Sequence, residues 1–222
     1  MPKVYAVIAA AGAGRRFGGM KQASLLGGRP VLDWALGAFQ DHPDVDGIVL
    51  VLRNPAAWVA GGRFSKLSAV VAGGRERQDS VEAGFSSIPF PGGGSCIVLV
   101  HDGVRPFVDQ ALITRVIQAA GRFGAACPAL PVEDTVKMVD GDRVIQTQDR
   151  NRLCRIQTPQ GFSAAILKRA LEEAGKDGFQ ATDEAQLVER IGLPVHTVPG
   201  ERRNLKITSP LDLKIAEALI ET

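Results

Sequence analysis

Short runs of apolar residues alternate along the chain with segments in which apolar residues recur at helical spacing. The runs have the length and the Val and Ile content of strands buried on both faces. Repeated alternation of such strands with helices is typical of βαβ units. The pattern therefore predicts an α/β fold, a doubly wound and mostly parallel sheet with helices on both faces. The predicted strands are Val4–Ala9, Ile48–Leu52, Leu67–Val71, Ile97–Val100 and Ala125–Leu130.

Helix starts are marked by capping residues and by prolines in the first turn. Pro30 precedes the first helix, Asn54 and Pro55 pair a cap with a proline, and Asp79 with Glu82 has capping-box spacing. The longer predicted helices are Val31–Phe39, Ala111–Phe123 after Asp109, Ala164–Ala174 after Ser163, and Leu211–Ile220 after Ser209 and Pro210.

One stretch departs from this alternation. Thr135–Val139 and Arg143–Thr147 are polar, β-branched segments on either side of Asp140-Gly141-Asp142, a strong hairpin-turn signal. A lone two-stranded hairpin is marginally stable in water. It is either a surface decoration or a dimerisation arm at about 134–152, and we favour the arm, which predicts a homodimer.

Composition places the chain among ordinary globular proteins. Its 222 residues suit a single domain over 1–222, since 45% are hydrophobic and 23% are charged, with a net charge of +2. Basic residues form no run and aromatic residues are few, which argues against nucleic-acid binding. Three cysteines without zinc or disulfide spacing, apolar runs too short to span a bilayer and no signal segment predict a soluble, cytoplasmic protein with no membrane partner. We expect Cys96 and Cys127 to be core residues.

The first predicted strand runs into a loop of small residues and cations. Gly12 and Gly14 allow the backbone N–H groups to approach an anion closely. A P-loop would have Gly-Lys-Ser/Thr after its second glycine, which is missing here, and a dinucleotide-binding loop would have glycine in place of Phe17. Arg16 and Lys21 on such a loop, at the carboxyl end of a strand, favour the triphosphate of a nucleotide.

Two further clusters follow predicted strands. Gly73 and Gly74 would let a planar base lie on bare backbone, and Ser80 could hydrogen-bond its edge, although a capped helix start also explains part of this segment. Asp102 stands where open parallel sheets bind hydroxyl groups or metal ions. The plainer interpretation is a surface pair of Asp102 with Arg105, and position favours function. His101 has no visible catalytic partner and is interpreted as structural.

Two segments near the end of the chain have plain interpretations. Thr182-Asp183-Glu184-Ala185 is typical of a helix cap. Lys206 lies in a short apolar segment, where a lysine is more often an exposed strand residue.

In this order the clusters resemble one family from end to end, the 2-C-methyl-D-erythritol 4-phosphate cytidylyltransferases of the non-mevalonate isoprenoid pathway. Each motif is weak by itself, and the set is specific. The motifs are Ala-Ala-Ala-Gly-x-Gly-x-Arg with Lys21-Gln22, Gly-Gly-x-Glu-Arg-x-x-Ser-Val, Val100-His101-Asp102 with Arg105-Pro106, Pro131-Val132-Glu133-Asp134-Thr135-Val136-Lys137, Asp149-Arg150-Asn151, Thr158-Pro159-Gln160, Thr182-Asp183-Glu184-Ala185 and Asn204-Leu205-Lys206-Ile207-Thr208.

The resemblance implies a Rossmann-like homodimer that transfers CMP from CTP to 2-C-methyl-D-erythritol 4-phosphate. It also implies a divalent ion, usually Mg²⁺, held mainly by the CTP phosphates and by no protein ligand. The family's arm reaches the neighbouring subunit, so Thr135 and Arg150 would serve the partner's site. By this resemblance Arg16 and Lys21 would act on the α-phosphate, and Asp102 would hold the sugar part of the ligands. Arg150 and Lys206 would position the acceptor phosphate, with Arg105, Thr135 and Thr158 nearby. The residues that would bind the nucleotide are Ala10, Ala11, Gly12, Gly14, Gly74 and Ser80.

Two positions depart from the family pattern. Met20 stands where many members have proline, in a short segment between Arg16 and Lys21, and this puts the reach of Lys21 in question. Arg75 stands where some members have an acid beside the base, so reading of the base is assigned to Gly74 and Ser80 only.

Two rival functions stay open at this stage. One is a cytidylyltransferase for another polyol phosphate, such as ribitol 5-phosphate, and the run Asp134-Thr135-Val136-Lys137 favours methylerythritol phosphate instead. The other is a non-catalytic nucleotide-binding module on the same fold. The presence of Arg16, Lys21 and Lys206 together argues against the module.

Overall fold

An eight-stranded sheet forms the centre of the structure, a computed structural model that describes residues 2–12, 21–58, 63–90 and 95–220. The strands are β1 Lys3–Ala9, β2 Leu25–Leu26, β3 Arg29–Pro30, β4 Gly47–Leu52, β5 Leu67–Ala72, β6 Cys96–Asp102, β7 Ala125–Pro131, β8 Lys137–Asp140, β9 Arg143–Thr147, β10 Cys154–Ile156, β11 Gln160–Ser163 and β12 His196–Pro199. The helices are α1 Val31–Gln40, α2 Arg77–Ser86, α3 Gln110–Phe123, α4 Ala164–Asp177, α5 Glu184–Arg190 and α6 Pro210–Ile220, with 3-10 helices at Lys21–Ala23, Pro55–Ala57 and Arg150–Arg152.

The strand order is β10-β7-β11-β6-β1-β4-β5, and β12 pairs in parallel with β7. The strands β6, β1, β4 and β5 are parallel neighbours, which confirms the predicted α/β fold with its mostly parallel sheet. The short strands β10 and β11 are antiparallel to β7, and β11 is also antiparallel to β6. The chain leaves β1 towards β5 on one side and returns to β6 on the other, so the direction of winding changes between β1 and β6.

The central strands are apolar throughout because both faces of the sheet are covered. In β1 the side chains of Val4, Ala6 and Ile8 enter one core, which they share with α1 and α3. Val7 points to the opposite face and packs in a second core with α2, α4 and α5. The period of two along a strand therefore feeds two cores at once, as expected of a doubly wound sheet.

The helix boundaries refine the predictions made from capping residues. Asp109 caps α3 as predicted, since its Oδ1 accepts the Leu112 N–H at 2.6 Å. Asp79 is not the cap of α2, which begins earlier, at Arg77; instead its Oδ2 accepts the Glu76 N–H at 3.0 Å. A carboxylate in the third helical position accepts from the backbone N–H of the residue that precedes the helix, as in a capping box.

The segment opened by Asn54 and Pro55 forms only one turn of 3-10 helix, Pro55–Ala57. Trp58 already has extended backbone angles, with φ −108° and ψ 128°. A proline at the first position starts a helix, and the residues that follow decide its length.

The predicted hairpin is present and is called here the hairpin arm, β8 and β9 with their turn. These strands pair only with each other, and all of their residues are exposed. Gly141, with φ 59°, takes the left-handed conformation that a tight turn requires. The first strand begins at Lys137 instead of Thr135. The function of the arm in dimerisation stays a prediction.

Two other sequence expectations concern the core and the membrane. Cys96 and Cys127 are buried, as predicted, and Cys154 is exposed; all three are free thiols. Within the described ranges, no helix combines the length and the apolar character that crossing a bilayer would require.

Candidate functional site

A cleft of about 350 Å³ lies where the four central parallel strands end. Open parallel sheets bind ligands at this edge, close to the point where the winding direction changes. The cleft collects residues that follow β1, β4, β5 and β6, together with two from distant loops. Its described lining residues are Ala9, Ala10, Ala11, Gly12, Gln22, Arg53, Gly74, Arg75, Glu76, Arg77, Ser80, Asp102, Val104 and Lys206.

One end of the cleft is built from small residues in close contact. A Cβ atom on Gly73 would lie 2.4 Å from the Ala11 Cβ and 2.6 Å from the Ser80 Oγ, so only glycine fits there. Ser80 is buried, and its hydroxyl donates to the Glu76 carbonyl at 3.0 Å, which leaves its own oxygen able to accept. This end offers bare backbone and one hydroxyl, a surface that fits a planar base.

The predicted anion loop lies only partly in the described structure. Gly12 lines the cleft, whereas Gly14 and Arg16 fall outside the described residues. Lys21 begins the 3-10 helix Lys21–Ala23, and its side chain likewise lies outside the described part of the chain. The next residue, Gln22, is buried and donates from Nε2 to the Ala10 carbonyl at 3.1 Å, which ties this helix to the end of β1.

Arg53 is a cleft residue that was not predicted from the sequence. It follows β4 directly, and its Nε donates to the Ala11 carbonyl at 3.4 Å. The sequence signal that could have identified Arg53 is the position of a cation just beyond the carboxyl end of a predicted strand. It adds positive charge beside the small-residue end of the cleft.

Asp102, at the carboxyl end of β6, is the centre of a buried group of charges. Its Oδ1 lies 3.2 Å from Arg77 Nε, and its Oδ2 lies 2.8 Å from Lys206 Nζ and 3.5 Å from Arg105 Nε. Burial opposes its ionisation, but Arg77, Lys206 and Arg105 together hold the pKa of Asp102 well below its usual range. The plainer interpretation, a surface pair with Arg105, is wrong because both side chains are nearly buried.

Arg77 and Glu184 are functional candidates that were also not predicted from the sequence. Arg77 Nη1 donates to Glu184 Oε1 at 2.6 Å, and the Glu184 side chain is only 1% exposed. Against the effect of burial, Glu184 and Asp102 raise the pKa of Arg77. We call Asp102, Glu184, Arg77, Arg105 and Lys206 the Asp102 cluster, in which three basic side chains surround two buried acidic ones.

The interpretation of Thr182-Asp183-Glu184-Ala185 as a helix cap is confirmed for Asp183. Its side chain accepts the Gln186 N–H at 3.0 Å at the start of α5. Glu184, the next residue, has a second function that capping does not explain, because its partner Arg77 is 107 positions away in the chain. No local pattern signals such a pair.

Lys206 is not a strand residue, since the segment from 203 to 207 has no regular structure. Buried side chains hold this segment against the sheet. Asn204 donates from Nδ2 to the Thr158 carbonyl at 2.8 Å, and Arg105 Nη1 donates to the Asn204 carbonyl, also at 2.8 Å. These contacts bring Lys206 to Asp102, so the ammonium group lines the cleft.

The remaining predicted site residues lie on either side of the cleft. Thr158 is buried behind Asp102, whose backbone N–H donates to the Thr158 Oγ1 at 3.1 Å. Thr135 and Arg150 are exposed near the hairpin arm, and neither is a described lining residue of the cleft in its own chain. Arg150 Nη1 donates to the Glu133 carbonyl at 2.6 Å.

The described residues hold no group of three or more His, Cys, Asp or Glu side chains close enough to bind a metal ion together. Of the two carboxylates among the described lining residues, Asp102 and Glu76, Asp102 already contacts three cations. Its oxygens are therefore poor candidates for a protein-only metal site.

Comparisons with known proteins give a consistent result. The IspD family model, described as 2-C-methyl-D-erythritol 4-phosphate cytidylyltransferase, matches residues 4–222. A curated relative of that name from Syntrophus aciditrophicus is 44% identical over 229 aligned positions, which cover 99% of this chain and 97% of the relative.

Solved structures agree with the sequence relatives. The crystal structure of 2-C-methyl-D-erythritol 4-phosphate cytidylyltransferase from Thermus thermophilus is 40% identical, with a TM-score of 0.82, over 99% of this chain and 100% of that one. The 4-diphosphocytidyl-2C-methyl-D-erythritol synthase from Anaerococcus prevotii is 31% identical, with a TM-score of 0.86, over 100% and 97%.

Proposed function

The chain belongs to the 2-C-methyl-D-erythritol 4-phosphate cytidylyltransferase family, and from that premise we propose a role for each residue in the transfer of CMP from CTP to 2-C-methyl-D-erythritol 4-phosphate. The chain is a cytidylyltransferase, and the full-length match favours this acceptor over another polyol phosphate. The observation that carries the assignment of roles is the cleft at the strand ends, with small residues at one end and the Asp102 cluster at the other.

The cytosine of CTP is assigned to the small-residue end. The backbone of Ala10, Ala11 and Gly74 forms the surface on which the base lies, and Ser80 accepts a hydrogen bond from its edge. The cytosine amino group is a donor, whereas uracil has a carbonyl at that position. The triphosphate is assigned to Gly12 and Gly14, and its α-phosphate to Arg16 and Lys21.

The acceptor and the ribose are assigned to the other end. Asp102 accepts hydrogen bonds from sugar hydroxyls, and Lys206 attracts the acceptor phosphate, with Arg105 and Thr158 beside them. We propose that Thr135 and Arg150 of the partner subunit complete this end in a homodimer. The exposed hairpin arm, with four large apolar side chains that are each about half exposed, supports the dimer.

The reaction is a phosphoryl displacement that requires no general base. A phosphate monoester has a second pKa of about 6, so the acceptor is mostly a dianion at neutral pH. Its oxygen attacks the α-phosphorus of CTP in line, a P–O bond forms, and the bond to the β-phosphate breaks to release pyrophosphate. Arg16, Lys21 and Lys206 neutralise the charge that builds on the phosphate oxygens and hold the reactants in line.

Mg²⁺ is proposed to enter with the nucleotide. The donor set fits this better than a protein cage, because Asp102 is already occupied by cations in the described structure. Bound to the CTP phosphates, the ion supplies further neutralisation of the leaving pyrophosphate. The cytoplasmic location stays a prediction from the cysteine content.

The decisive experiment is a pyrophosphate-release assay with CTP and Mg²⁺ on each of two acceptors. We expect release with 2-C-methyl-D-erythritol 4-phosphate and little with ribitol 5-phosphate. Faster release with ribitol 5-phosphate would replace the proposed acceptor. Tight CTP binding by calorimetry without release from either compound would instead restore the non-catalytic module.

A further inference from the structure

Four residues around the carboxyl end of β6 are joined by a continuous chain of hydrogen bonds. The Asp102 N–H donates to Thr158 Oγ1 at 3.1 Å, and Thr158 Oγ1 lies 3.1 Å from His101 Nδ1. On the far side of the ring, His101 Nε2 lies 3.1 Å from the Arg105 carbonyl oxygen. Three of the four residues are candidates for the ligand site, and the fourth, His101, is completely buried.

The partners determine the position of each proton in this chain. The Arg105 carbonyl can only accept, so His101 Nε2 must carry the ring proton. The neutral ring then has an unprotonated Nδ1, which can only accept, so the Thr158 hydroxyl donates to it. The Asp102 N–H uses one lone pair of the same hydroxyl. Burial lowers the pKa of His101 to about 4, against the favourable charge of Asp102, so the ring is neutral in this arrangement.

We propose that His101 and Thr158 form a relay that positions Asp102 and Arg105 for catalysis, and that Thr158 acts through this relay instead of donating a hydrogen bond to the substrate. The hydroxyl has a single proton, and His101 takes it. A phosphate oxygen of the ligand needs a donor, which Thr158 therefore cannot supply without breaking the relay. The proposal refines the function proposed above and rests on it.

His101 is a positioning residue in this scheme. Its ring packs against Phe39 of α1, with ring centroids 4.9 Å apart. It connects the backbone at two points of the 102–105 turn: the Asp102 N–H through Thr158, and the Arg105 carbonyl directly. A displacement of either point would move a member of the Asp102 cluster.

The kinetic test compares Thr158→Val and His101→Phe, which remove the relay from opposite ends, with their double variant. We expect each single variant to lower kcat about tenfold and the double variant to lie within about threefold of either, because both break one unit. The conservative variants Thr158→Ser and His101→Gln should recover most of the loss, since each retains a donor and an acceptor.

A direct contact between Thr158 and the substrate gives a different result. Thr158→Val would then raise KM for 2-C-methyl-D-erythritol 4-phosphate with kcat little changed, His101→Phe would leave that KM unaltered, and the two losses would multiply. That outcome would overturn the relay.

A second measurement is independent of activity. Imidazole ¹⁵N NMR of the wild-type protein should show His101 protonated on Nε2 alone, and amide exchange of Asp102 should be about tenfold faster or more in Thr158→Val than in Thr158→Ser. A proton on Nδ1, or equal exchange in the two variants, would refute the proposal even if the enzyme is active. If His101 has the expected tautomer and Asp102 the expected amide exchange, but the protein does not turn over CTP, the relay would stand and the proposed function would be refuted.

Discussion

The Asp102 cluster and the hairpin arm differ in whether their side chains have partners within the described chain. In the cluster every charge contacts an opposite charge within the same chain, and the two carboxylates are at most 8% exposed. In the arm Met138, Val139, Val144 and Ile145 are each about half exposed, at 51%, 57%, 55% and 48%. The charges of one region are paired within a single chain; the other region presents apolar surface that the described residues leave about half exposed.

The difference separates what one subunit contains from what the proposed dimer would add. A cluster whose charged side chains pair with one another in one chain can be preorganised before any ligand or partner arrives. An exposed two-stranded hairpin gains most of its stability from whatever it contacts. Arg150, near the arm, would then serve a cleft in which Lys21 and Lys206 come from the other chain.

The largest effect is expected from mixing two inactive enzymes, Lys21→Ala and Arg150→Ala. If the site is shared, each hybrid dimer has one intact site, and random exchange should restore activity to about a quarter of the wild type. The measurement is pyrophosphate release after mixing, with subunit exchange shown by co-purification of differently tagged chains. The matched control mixes Lys21→Ala with Lys206→Ala, which affect the same site and should not recover. No recovery in the first mixture despite exchange would argue against a shared site.

A charge on the arm should dissociate the dimer without affecting the cleft. We expect Val144→Glu to weaken dimerisation at least about 100-fold, because a carboxylate would be buried in the interface without a partner. Sedimentation velocity over a range of concentrations measures this. Leu211→Glu is the control, since Leu211 is 65% exposed but lies on α6, away from the arm. A wild type that is monomeric at all concentrations would show that the arm has another function.

Removing one partner of the buried cluster should destabilise the fold itself. Arg77→Met leaves Glu184 buried without a counter-charge, and we expect the free energy of unfolding to fall by about 4 kcal/mol. Urea denaturation measures the loss, and the double variant with Glu184→Leu should recover part of it. Lys168→Met breaks the exposed pair with Glu172, whose side chains are 65% and 59% exposed, and should leave the midpoint unchanged. A midpoint for Arg77→Met equal to that of Lys168→Met would mean that the cluster contributes no stability.

The smallest effect concerns pH and His101. Its pKa is about 4 in the folded protein, against 6.5 for an unperturbed histidine, so between these values the unfolded chain binds the extra proton. The contribution of the neutral His101 ring to the free energy of unfolding is fully present above pH 6.5. It decreases as the pH falls towards 4, by about 3 kcal/mol in all. Urea denaturation at several pH values should therefore show a shallower decrease in His101→Gln than in the wild type. Identical pH profiles would contradict the neutral, buried ring.

The sheet was predictable because its signal is local. Val4, Ala6, Val7 and Ile8 form a short apolar run, and a run of that length between helical patterns has few alternatives to a buried parallel strand. The antiparallel β11 and the parallel β12 were not predicted. They are four residues long each, and their pairing with β7 depends on distant parts of the chain.

The residues of the candidate site also divide into those with a local sequence signal and those that depend on distant parts of the chain. Asp102 ends β6, and Gly74 and Ser80 lie in the turn and the helix that come after β5, so their place at the cleft could be inferred from position along the chain. Lys206 was assigned by resemblance alone, because its own segment suggested an exposed strand residue. Arg77 and Glu184 were missed, since each has a sufficient local explanation at a helix start.

By itself, the sequence determined the order of the main parallel strands and the longer helices, the two-faced core, the hairpin arm and the residues that follow those strands, because hydrophobic period, capping and turn chemistry act over a few neighbouring residues. Only the tertiary structure decided that Asp102 has three cations around it, that Glu184 pairs with Arg77, and that the Thr158 hydroxyl lies within hydrogen-bond distance of His101 Nδ1. These contacts join residues 25 to 107 positions apart wherever they cross between elements. A hydrogen bond or ion pair at that separation depends on where the sheet brings its partners, and no local pattern records it.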